Sequence, residues 1–170
     1  MKFLADSSVT CPVCNGDRYK PEVLQVEYRG LNISQVLNLT IDQAAEHFSS
    51  FSRITKRLNP ARELGLGYLK LGQPSSSLSG GESQRLKLVP ILSKNLNRGS
   101  LVIMDEPTTG LHFKDVDLLL EQFRKLTEKG VTLIVIEHSR RVKAASDWVV
   151  EIGPGSASEG GNLVYEGPFS

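Results

Sequence analysis

The chain has 170 residues, of which 39% are hydrophobic and 23% charged, and its formal net charge is +1. This length is sufficient for a buried core, and the net charge by itself indicates no partner. The longest predominantly apolar run, 131–136, is far too short to span a bilayer, and residues 1–10 lack a signal-peptide pattern. We therefore expect a cytoplasmic protein without a membrane span.

The chain contains two cysteines, Cys11 and Cys14, in the sequence CPVC. In a reducing compartment this spacing is typical of half a zinc knuckle or of a redox pair. A structural zinc ion needs two further ligands, and the three histidines do not form a second pair. The chain alone therefore holds half a zinc site, or none.

Residues 17–98 predict one strand followed by helices. The predicted elements are a short strand within 17–30, two short helices within 32–51, a helix at 53–64, a loop at 72–77 and a helix at 80–96. Thr40 and Gln43 have the spacing of a capping box at the start of the second short helix. Residues 53–98 carry 9 basic and 2 acidic side chains. Such a segment is usually solvated surface, but it could also face nucleotide, nucleic acid or an acidic domain.

After residue 99, strands and helices alternate. The predicted elements are a strand at 101–104 ending in Asp105, a helix at 113–128, a buried strand at 131–137, a short helix at 139–147, a strand at 148–153 and a hairpin arm at 160–167. Apolar positions in 113–128 recur at helical spacing. This order predicts right-handed crossovers and a parallel sheet, and therefore an α/β fold.

The sequence LSGGESQRLKL (78–88) predicts a helix with a bare first turn. Ser79 is a suitable N-cap and Glu82 completes a capping box. Gly80 and Gly81 each cost about 1 kcal/mol of helix stability relative to Ala. Amides without side chains at a helix N-terminus can approach a phosphate closely, so we expect an anion contact there. The alternative is a flexible, capped helix start.

Two acidic residues end the strand LVIMDEP (101–107), at the sheet edge where α/β proteins bind ligands. Asp105 could hold Mg²⁺ directly or through water, and Glu106 could polarise a water for attack on a γ-phosphate. His138 follows Glu137 at the end of the next strand and could reach the same edge. The alternatives are a helix-capping acid pair and a structural histidine.

LSGGESQRLKL, LVIMDEPTTGLH and LIVIEHS resemble the signature motif, Walker B motif, D-loop and H-loop of ABC-type ATPases. More specifically, four stretches covering nearly the whole chain resemble the UvrA family, the damage-recognition ATPases of bacterial nucleotide excision repair. They are CPVCNGDRYKPEVLQVEYRGLNISQVLNLTIDQAAEHF, GLGYLKLGQPSSSLSGGESQRLKL, DEPTTGLHFKDV and EIGPGSASEGGNLVYEG.

This resemblance implies ATP, Mg²⁺ and Zn²⁺ as cofactors. It also implies DNA, the rest of a UvrA-like chain, its dimer partner and a UvrB-like repair protein as partners, with a link to the SOS response. It assigns nucleotide binding or catalysis to two groups of residues. Ser79, Gly80, Gly81 and Glu82 would serve a nucleotide held by another domain, with Gly110, Leu111 and His112 at the seam between domains. Asp105, Glu106 and His138 would serve the chain's own nucleotide, and Cys11 and Cys14 would bind zinc.

The chain departs from the family pattern in three places. No G-x-x-x-x-G-K-[ST] phosphate loop is present, and one of the family's two CxxC pairs is missing. We therefore expect the C-terminal part of the second ABC-type ATPase domain, cut inside the zinc module. It would lack the P-loop strand, have an uncovered apolar sheet face and be inactive when isolated. Third, Pro90 should kink its helix at a cost of about 3 kcal/mol.

The predicted modules are a zinc-module remnant at 1–30, a helical signature subdomain at 31–98 and an α/β core at 99–170. Two alternative functions remain open. One is a UvrA-like paralogue for drug or antibiotic self-resistance, and the other is the nucleotide-binding subunit of an ABC transporter.

Overall fold

The computed structural model describes residues 11–153 and 161–169, and these form two compact units. The N-terminal unit contains residues 11–62 and Leu66–Leu78, and the C-terminal unit contains Glu63–Gly65 with the described residues from 79 onward. The first ten residues of the predicted zinc-module remnant and the start of the predicted hairpin arm lie outside the described residues. The predicted three-module division stays a prediction.

The N-terminal unit is built from short helices. Its elements are α1 (Pro21–Leu24), β1 (Glu27–Tyr28), β2 (Leu31–Asn32), α2 (Ile33–Asn38), α3 (Ile41–His47), α4 (Ser52–Glu63) and a 3₁₀ turn (Ser75–Ser77). The two helices predicted within 32–51 and the helix predicted at 53–64 are confirmed. The Thr40–Gln43 capping box is present, and α2 has a second one that the sequence analysis missed, formed by Asn32 and Gln35.

The strand predicted within 17–30 is largely wrong. Pro21 occupies the first turn of α1, where its fixed φ suits a helix and its missing N–H has no partner to lose. Only Glu27–Tyr28 forms a strand, and it pairs antiparallel with Leu31–Asn32.

The C-terminal unit contains most of the predicted α/β pattern. Its elements are α5 (Gly80–Leu92), β3 (Leu101–Asp105), α6 (Phe113–Glu128), β4 (Thr132–Ile136), α7 (Arg140–Ala145), β5 (Val149–Ile152) and β6 (Leu163–Gly167). The helix predicted at 80–96 ends earlier, at Leu92. Pro90 lies in its last turn, where the missing amide interrupts the hydrogen-bond ladder two residues before the end.

The predicted parallel sheet is confirmed for two strands and wrong for the third. β3 and β4 pair in parallel, with register from Leu101 opposite Thr132 to Asp105 opposite Ile136. β5 instead pairs antiparallel with β6, which confirms the hairpin arm. The connection between β5 and β6 is short, and a short connection allows antiparallel pairing, whereas parallel neighbours need a crossover.

The two faces of the β3–β4 sheet differ in burial. On one face Met104 is buried, and α6 packs on β4 with Leu119 and Phe123 in its buried stripe. On the other face apolar side chains are exposed, and Ile103 reaches 61%. The prediction of a buried strand at 131–137 is therefore wrong for this face, where Ile134 and Ile136 are exposed, whereas the expected uncovered apolar face is present.

None of the described helices has both the length and the apolar character needed to cross a membrane.

Candidate active site

The ends of β3 and β4 lie side by side, because Asp105 is in register with Ile136. The backbone amide of Glu106 donates to the carbonyl of Ile136 at 2.9 Å, which extends the pairing one residue past the strand. Glu106 and Glu137 therefore leave the sheet at adjacent points. The loop that begins at Glu106 and the loop that begins at Glu137 form the candidate site.

Glu106 and His138 come together at this edge. His138 Nε2 lies 3.8 Å from Glu106 Oε1, and Glu106 Oε2 accepts a hydrogen bond from the Thr109 hydroxyl at 3.1 Å. Both the Glu106 and the His138 side chains are exposed, His138 by 89%. Asp105 is also exposed at the end of its strand. The carboxylates and the imidazole are thus accessible to a ligand from solvent.

The backbone of Glu106 is strained. Its φ is +44°, a left-handed conformation that a side chain with a Cβ rarely adopts. Such a conformation costs roughly 1–3 kcal/mol and persists only where the surroundings hold it. Gln84 Nε2 contributes by donating to the Glu106 carbonyl at 3.4 Å. Strain of this kind clusters at functional sites, which fits the role predicted for Glu106.

Glu137 connects the two loops. Its Oε1 accepts hydrogen bonds from the Thr108 amide, at 2.8 Å, and from the Thr108 hydroxyl. Its Oε2 accepts from the amides of His138, at 3.1 Å, and Ser139, at 3.3 Å. We call Glu106, Thr108, Thr109, Glu137 and His138 the strand-end cluster.

The environment of Glu137 favours its ionised form. Partial burial raises the pKa of this carboxyl, but the hydrogen bonds from Thr108, Ser139 and His138 outweigh burial and hold the pKa below its usual range. The sequence places Glu137 beside His138 but indicates no role for it. Its partner Thr108 lies 29 positions away, so no local pattern could reveal the contact.

The start of α5 has the predicted capping box. The Ser79 side chain accepts from the Glu82 amide at 3.2 Å, and Glu82 Oε2 accepts from the Ser79 amide at 2.7 Å. At Gly80 a Cβ would meet no atom within 4 Å, so this first turn is open. At Gly81 a Cβ would lie 3.3 Å from the carbonyl oxygen of Gly110 and 3.7 Å from a methyl of Leu111. Gly81 thus permits a close approach between the helix start and the loop that follows Glu106.

The loop that follows Glu106 ends at α6. Gly110 has φ +74°, which suits a residue without a Cβ. The Leu111 amide donates to the Thr108 carbonyl at 3.0 Å. His112 is the N-cap of α6, where its Nδ1 accepts from the Lys114 amide at 3.5 Å. The predicted seam residues are therefore held between the strand-end cluster and a helix start.

A buried ion pair joins α5 to α6. Arg85 Nη1 donates to Asp115 Oδ1 at 2.8 Å and to the carbonyl of Leu64 at 3.0 Å. Arg85 is buried, so losing its partner would leave a costly unpaired charge. No local sequence pattern indicates this pair, because its members are 30 positions apart. The pair connects α5, whose N-cap is Ser79, to α6, whose N-cap is His112.

The cysteines lie in the N-terminal unit, in a segment that we call the cysteine turn, residues 11–17. The Asn15 amide donates to the Cys11 carbonyl and the Asp17 amide to the Cys14 carbonyl, both at 2.8 Å. Hydrogen bonds from the Cys14 and Val13 amides and from the Cys14 side chain lower the pKa of the exposed Cys11 thiol. This favours a thiolate, the form that binds zinc.

The cysteine turn fits only half of a tetrahedral zinc site. Among the described residues there is no group of three or more His, Cys, Asp or Glu side chains placed to hold a metal ion. The strand-end residues fit a Mg²⁺–nucleotide better, since they offer exposed carboxylate oxygens, the ligands that Mg²⁺ prefers. They would form only part of that site, because the printed sequence contains no phosphate loop.

Comparison with known proteins first defines the class. A family model described as "AAA domain, putative AbiEii toxin, Type IV TA system" matches residues 29–141, more than half of the chain. A solved structure of an ATP-binding cassette of an ABC transporter has the same fold, with a TM-score of 0.51 at 20% identity, over 78% of this chain and 54% of that chain. The chain thus belongs to this AAA domain family, and its fold is that of a partial ABC-type ATPase domain.

Two relatives define the family more narrowly. UvrABC system protein A of Neisseria meningitidis serogroup A is 46% identical over 167 residues, which cover 98% of this chain and 18% of that protein. The crystal structure of UvrA2 from Deinococcus radiodurans matches with a TM-score of 0.85 and 52% identity, over 93% of this chain and 19% of that chain. The chain is therefore a member of the UvrA family, and it spans less than one fifth of the length of these relatives.

Proposed function

We propose that this chain is the part of a UvrA-type DNA-repair ATPase that carries the water-activating glutamate, the D-loop, the H-loop and the signature helix. The observation that supports this most is the strand-end cluster. It presents an exposed acid, Glu106, in a strained backbone conformation within 3.8 Å of an exposed imidazole, His138. The likeness to UvrABC system protein A over nearly the whole chain points to the same conclusion.

The proposed roles follow from position. Asp105 ends its strand with an exposed carboxylate and would bind Mg²⁺, which neutralises phosphate charge when bound. Glu106 would orient and polarise the attacking water, because its carboxylate is exposed and held by the Thr109 hydroxyl. His138 would donate a hydrogen bond to the terminal phosphate. These residues serve the nucleotide of their own domain.

The start of α5 would face a second nucleotide, bound by another domain of the complete assembly. Ser79, Gly80 and Gly81 present backbone amides at a helix N-terminus, and the open space at Gly80 leaves room for phosphate oxygens. Gly110, Leu111 and His112 would lie at the seam between the two domains. The close approach that Gly81 permits brings this helix start beside the carbonyl of Gly110, in the loop that follows Glu106.

DNA, a UvrB-like repair protein, the rest of the chain and its dimer partner are the proposed partners, and the cytoplasm is the proposed location. Arg53, Lys56 and Arg57 are exposed on α4, and Arg53 and Arg57 are spaced one helical turn apart. Such a basic face suits phosphate contacts. Zn²⁺ would bind Cys11 and Cys14 only with two ligands from elsewhere.

A second candidate is a UvrA-like paralogue with a drug-resistance role. The structural relative described as UvrA2 is 52% identical, whereas UvrABC system protein A of Neisseria meningitidis is 46% identical. Both relatives are similar to this chain to about the same extent, so the paralogue stays open as the alternative. The printed sequence provides no comparable observation in favour of a transporter subunit.

The test separates metal binding from hydrolysis in the full product of the reading frame that contains this segment. Asp105→Asn should weaken binding of Mn²⁺–ATP, measured by electron paramagnetic resonance. Glu106→Gln should retain that binding and lower steady-state phosphate release by roughly 10³-fold. Glu128→Gln, at an exposed ion pair with Arg124, is the matched control for the change of Glu to Gln. If Glu106→Gln loses metal–nucleotide affinity and Asp105→Asn does not, the two roles are reversed.

A further inference from the structure

We propose that Glu137 is a positioning residue that holds Glu106 and His138 in their reactive arrangement by clamping the D-loop to the H-loop. This inference rests on the proposed ATPase function and extends it to a residue that contacts neither metal nor nucleotide in that proposal. It is carried by the four hydrogen bonds that the Glu137 carboxylate accepts from Thr108, His138 and Ser139.

A helix-capping role does not account for this arrangement. Glu137 Oε2 accepts from the His138 and Ser139 amides, and Ser139 is the N-cap of α7. A cap would use these local amides alone. Oε1 instead accepts both the amide and the hydroxyl of Thr108, a residue on a different loop. Each oxygen therefore serves one loop, and the carboxylate joins them.

Because Thr108 precedes Thr109, its position also determines where the groups that bind Glu106 lie. Thr108 is only 9% exposed and follows the fully buried Pro107, so its position is fixed by packing as well as by Glu137. The next residue, Thr109, donates through its hydroxyl to Glu106 Oε2 and through its amide to the Glu106 carbonyl at 3.2 Å. A displacement of Thr108 would therefore move the groups that hold the Glu106 carboxylate.

The strain at Glu106 makes the clamp necessary. A residue with φ +44° returns to an ordinary backbone conformation when its surroundings loosen. The contacts that oppose this are the Glu106 amide to Ile136, the Gln84 contact and the turn fixed by Thr108. Of these, the turn is the contact that a side chain, Glu137, holds against the loop of His138. Loss of the clamp should separate Glu106 from His138 without removing either side chain.

Charge is essential to the clamp. All four donors that face Glu137 are N–H or O–H groups, and an ionised carboxylate is an acceptor at both oxygens. In Glu137→Gln one of these oxygens becomes an NH₂ group, which would oppose the donors of one loop. Thr108→Val removes the hydroxyl donor while keeping the branched shape, and Thr108→Ser keeps the hydroxyl. Together these three variants distinguish the loss of the hydrogen bonds to Glu137 from a change in side-chain volume.

The functional test measures ATP turnover by the full product of the reading frame. We expect Glu137→Gln and Thr108→Val to lower kcat by roughly 10- to 100-fold, as is usual for supporting contacts around a reacting centre. KM for ATP should change by less than about threefold, because the clamp acts on the reacting groups rather than on binding. Thr108→Ser should restore turnover to within about threefold of wild type. Glu128→Gln is the control, and circular dichroism verifies folding of each variant.

A second readout needs no nucleotide. In the 170-residue chain, ¹³C NMR titration of the Glu137 carboxyl should give a pKa below the ordinary Glu value, and Thr108→Val should raise it while Thr108→Ser leaves it low. Wild-type turnover in folded Glu137→Gln, or a Glu137 titration that Thr108→Val does not move, would overturn the inference. If the wild-type product hydrolyses no ATP, the proposed function fails and the positioning role with it. The titration then reports only whether the clamp exists.

Discussion

The strand-end cluster and the cysteine turn both resemble ligand sites of one family, but they differ in how much of the site this chain builds. In the strand-end cluster, Glu106 and Glu137 have hydrogen-bond partners within the same unit, so we expect the geometry to be set before any ligand arrives. In the cysteine turn, backbone hydrogen bonds position Cys11 and Cys14, but the described residues supply no further metal ligands. The described residues hold the strand-end cluster together by themselves, whereas they supply only two of the four ligands that a structural zinc ion needs.

The largest expected effect results from the missing phosphate loop. The cluster has the residues proposed for water activation, but the sequence has no phosphate loop. Losing a single donor that stabilises a developing negative charge already costs roughly 10²–10³-fold in rate. We expect the isolated 170-residue chain to release phosphate from Mg²⁺–ATP at least roughly 10³-fold more slowly than the full product of its reading frame. Turnover at the rate of the full product, abolished by Glu106→Gln, would show that the cluster is self-sufficient.

The next prediction compares how much one residue of each unit contributes to the free energy of unfolding of that unit. Leu119 is fully buried in α6, so Leu119→Ala should lower the free energy of unfolding of the C-terminal unit by about 3 kcal/mol. Cys14 is partly exposed, so Cys14→Ser should change the stability of the N-terminal unit by no more than about 0.5 kcal/mol in the absence of metal. Urea unfolding, followed by NMR signals from each unit, measures both. A cost of several kcal/mol for Cys14→Ser would mean that the turn is a folded core element.

Zinc binding tests whether the cysteine turn is only part of a metal site. Two thiolates leave two of the four positions of a structural zinc ion empty. We expect the purified chain to hold substoichiometric zinc, or to hold it only where two copies join their cysteine turns. Metal analysis combined with light scattering distinguishes these states. One tightly bound zinc per monomeric chain would show that the chain itself supplies two further ligands.

The smallest expected effect is a pH dependence of the free energy that the Glu137–Thr108 hydrogen bonds contribute to folding. The folded pKa of Glu137 lies below the unfolded value, so its hydrogen bonds stabilise the fold above an unfolded pKa of about 4.3. That stabilisation is lost as pH falls through the lower folded pKa. The difference in unfolding free energy between wild type and Thr108→Val should therefore shrink on acidification from pH 6, with Thr108→Ser as control. An unchanged difference at pH 3 would exclude a role for the ionised carboxylate.

The sequence predicted most of the elements that depend on local pattern. The apolar spacing of α6 gave its bounds, and the capping box at Ser79 and Glu82 marked the start of α5. It also indicated that the acids after β3 and His138 after β4 leave the sheet at one edge, since parallel strands end together. The proposed chemical roles of Asp105, Glu106 and His138 stay predictions.

What the sequence could not predict depends on distant partners. The hairpin arm was predicted, but not that β5 would stay outside the parallel β3–β4 sheet, because an apolar strand pattern is the same in either case. The Glu137–Thr108 contact and the Arg85–Asp115 pair join residues 29 and 30 positions apart. Local patterns report periods of two to four residues, so they contain no information about such contacts.

The most direct test of the central claim, that the strand-end cluster is set without a ligand, is amide hydrogen exchange in the ¹⁵N-labelled 170-residue chain without nucleotide or metal. The amide of Leu119, a fully buried residue in the middle of α6, verifies that the unit is folded. We expect the Thr108 amide, which donates to Glu137, to exchange at least about 100-fold more slowly than in an unstructured peptide. Free exchange at Thr108 while Leu119 stays protected would contradict the claim and mean that the cluster forms only when its ligand binds.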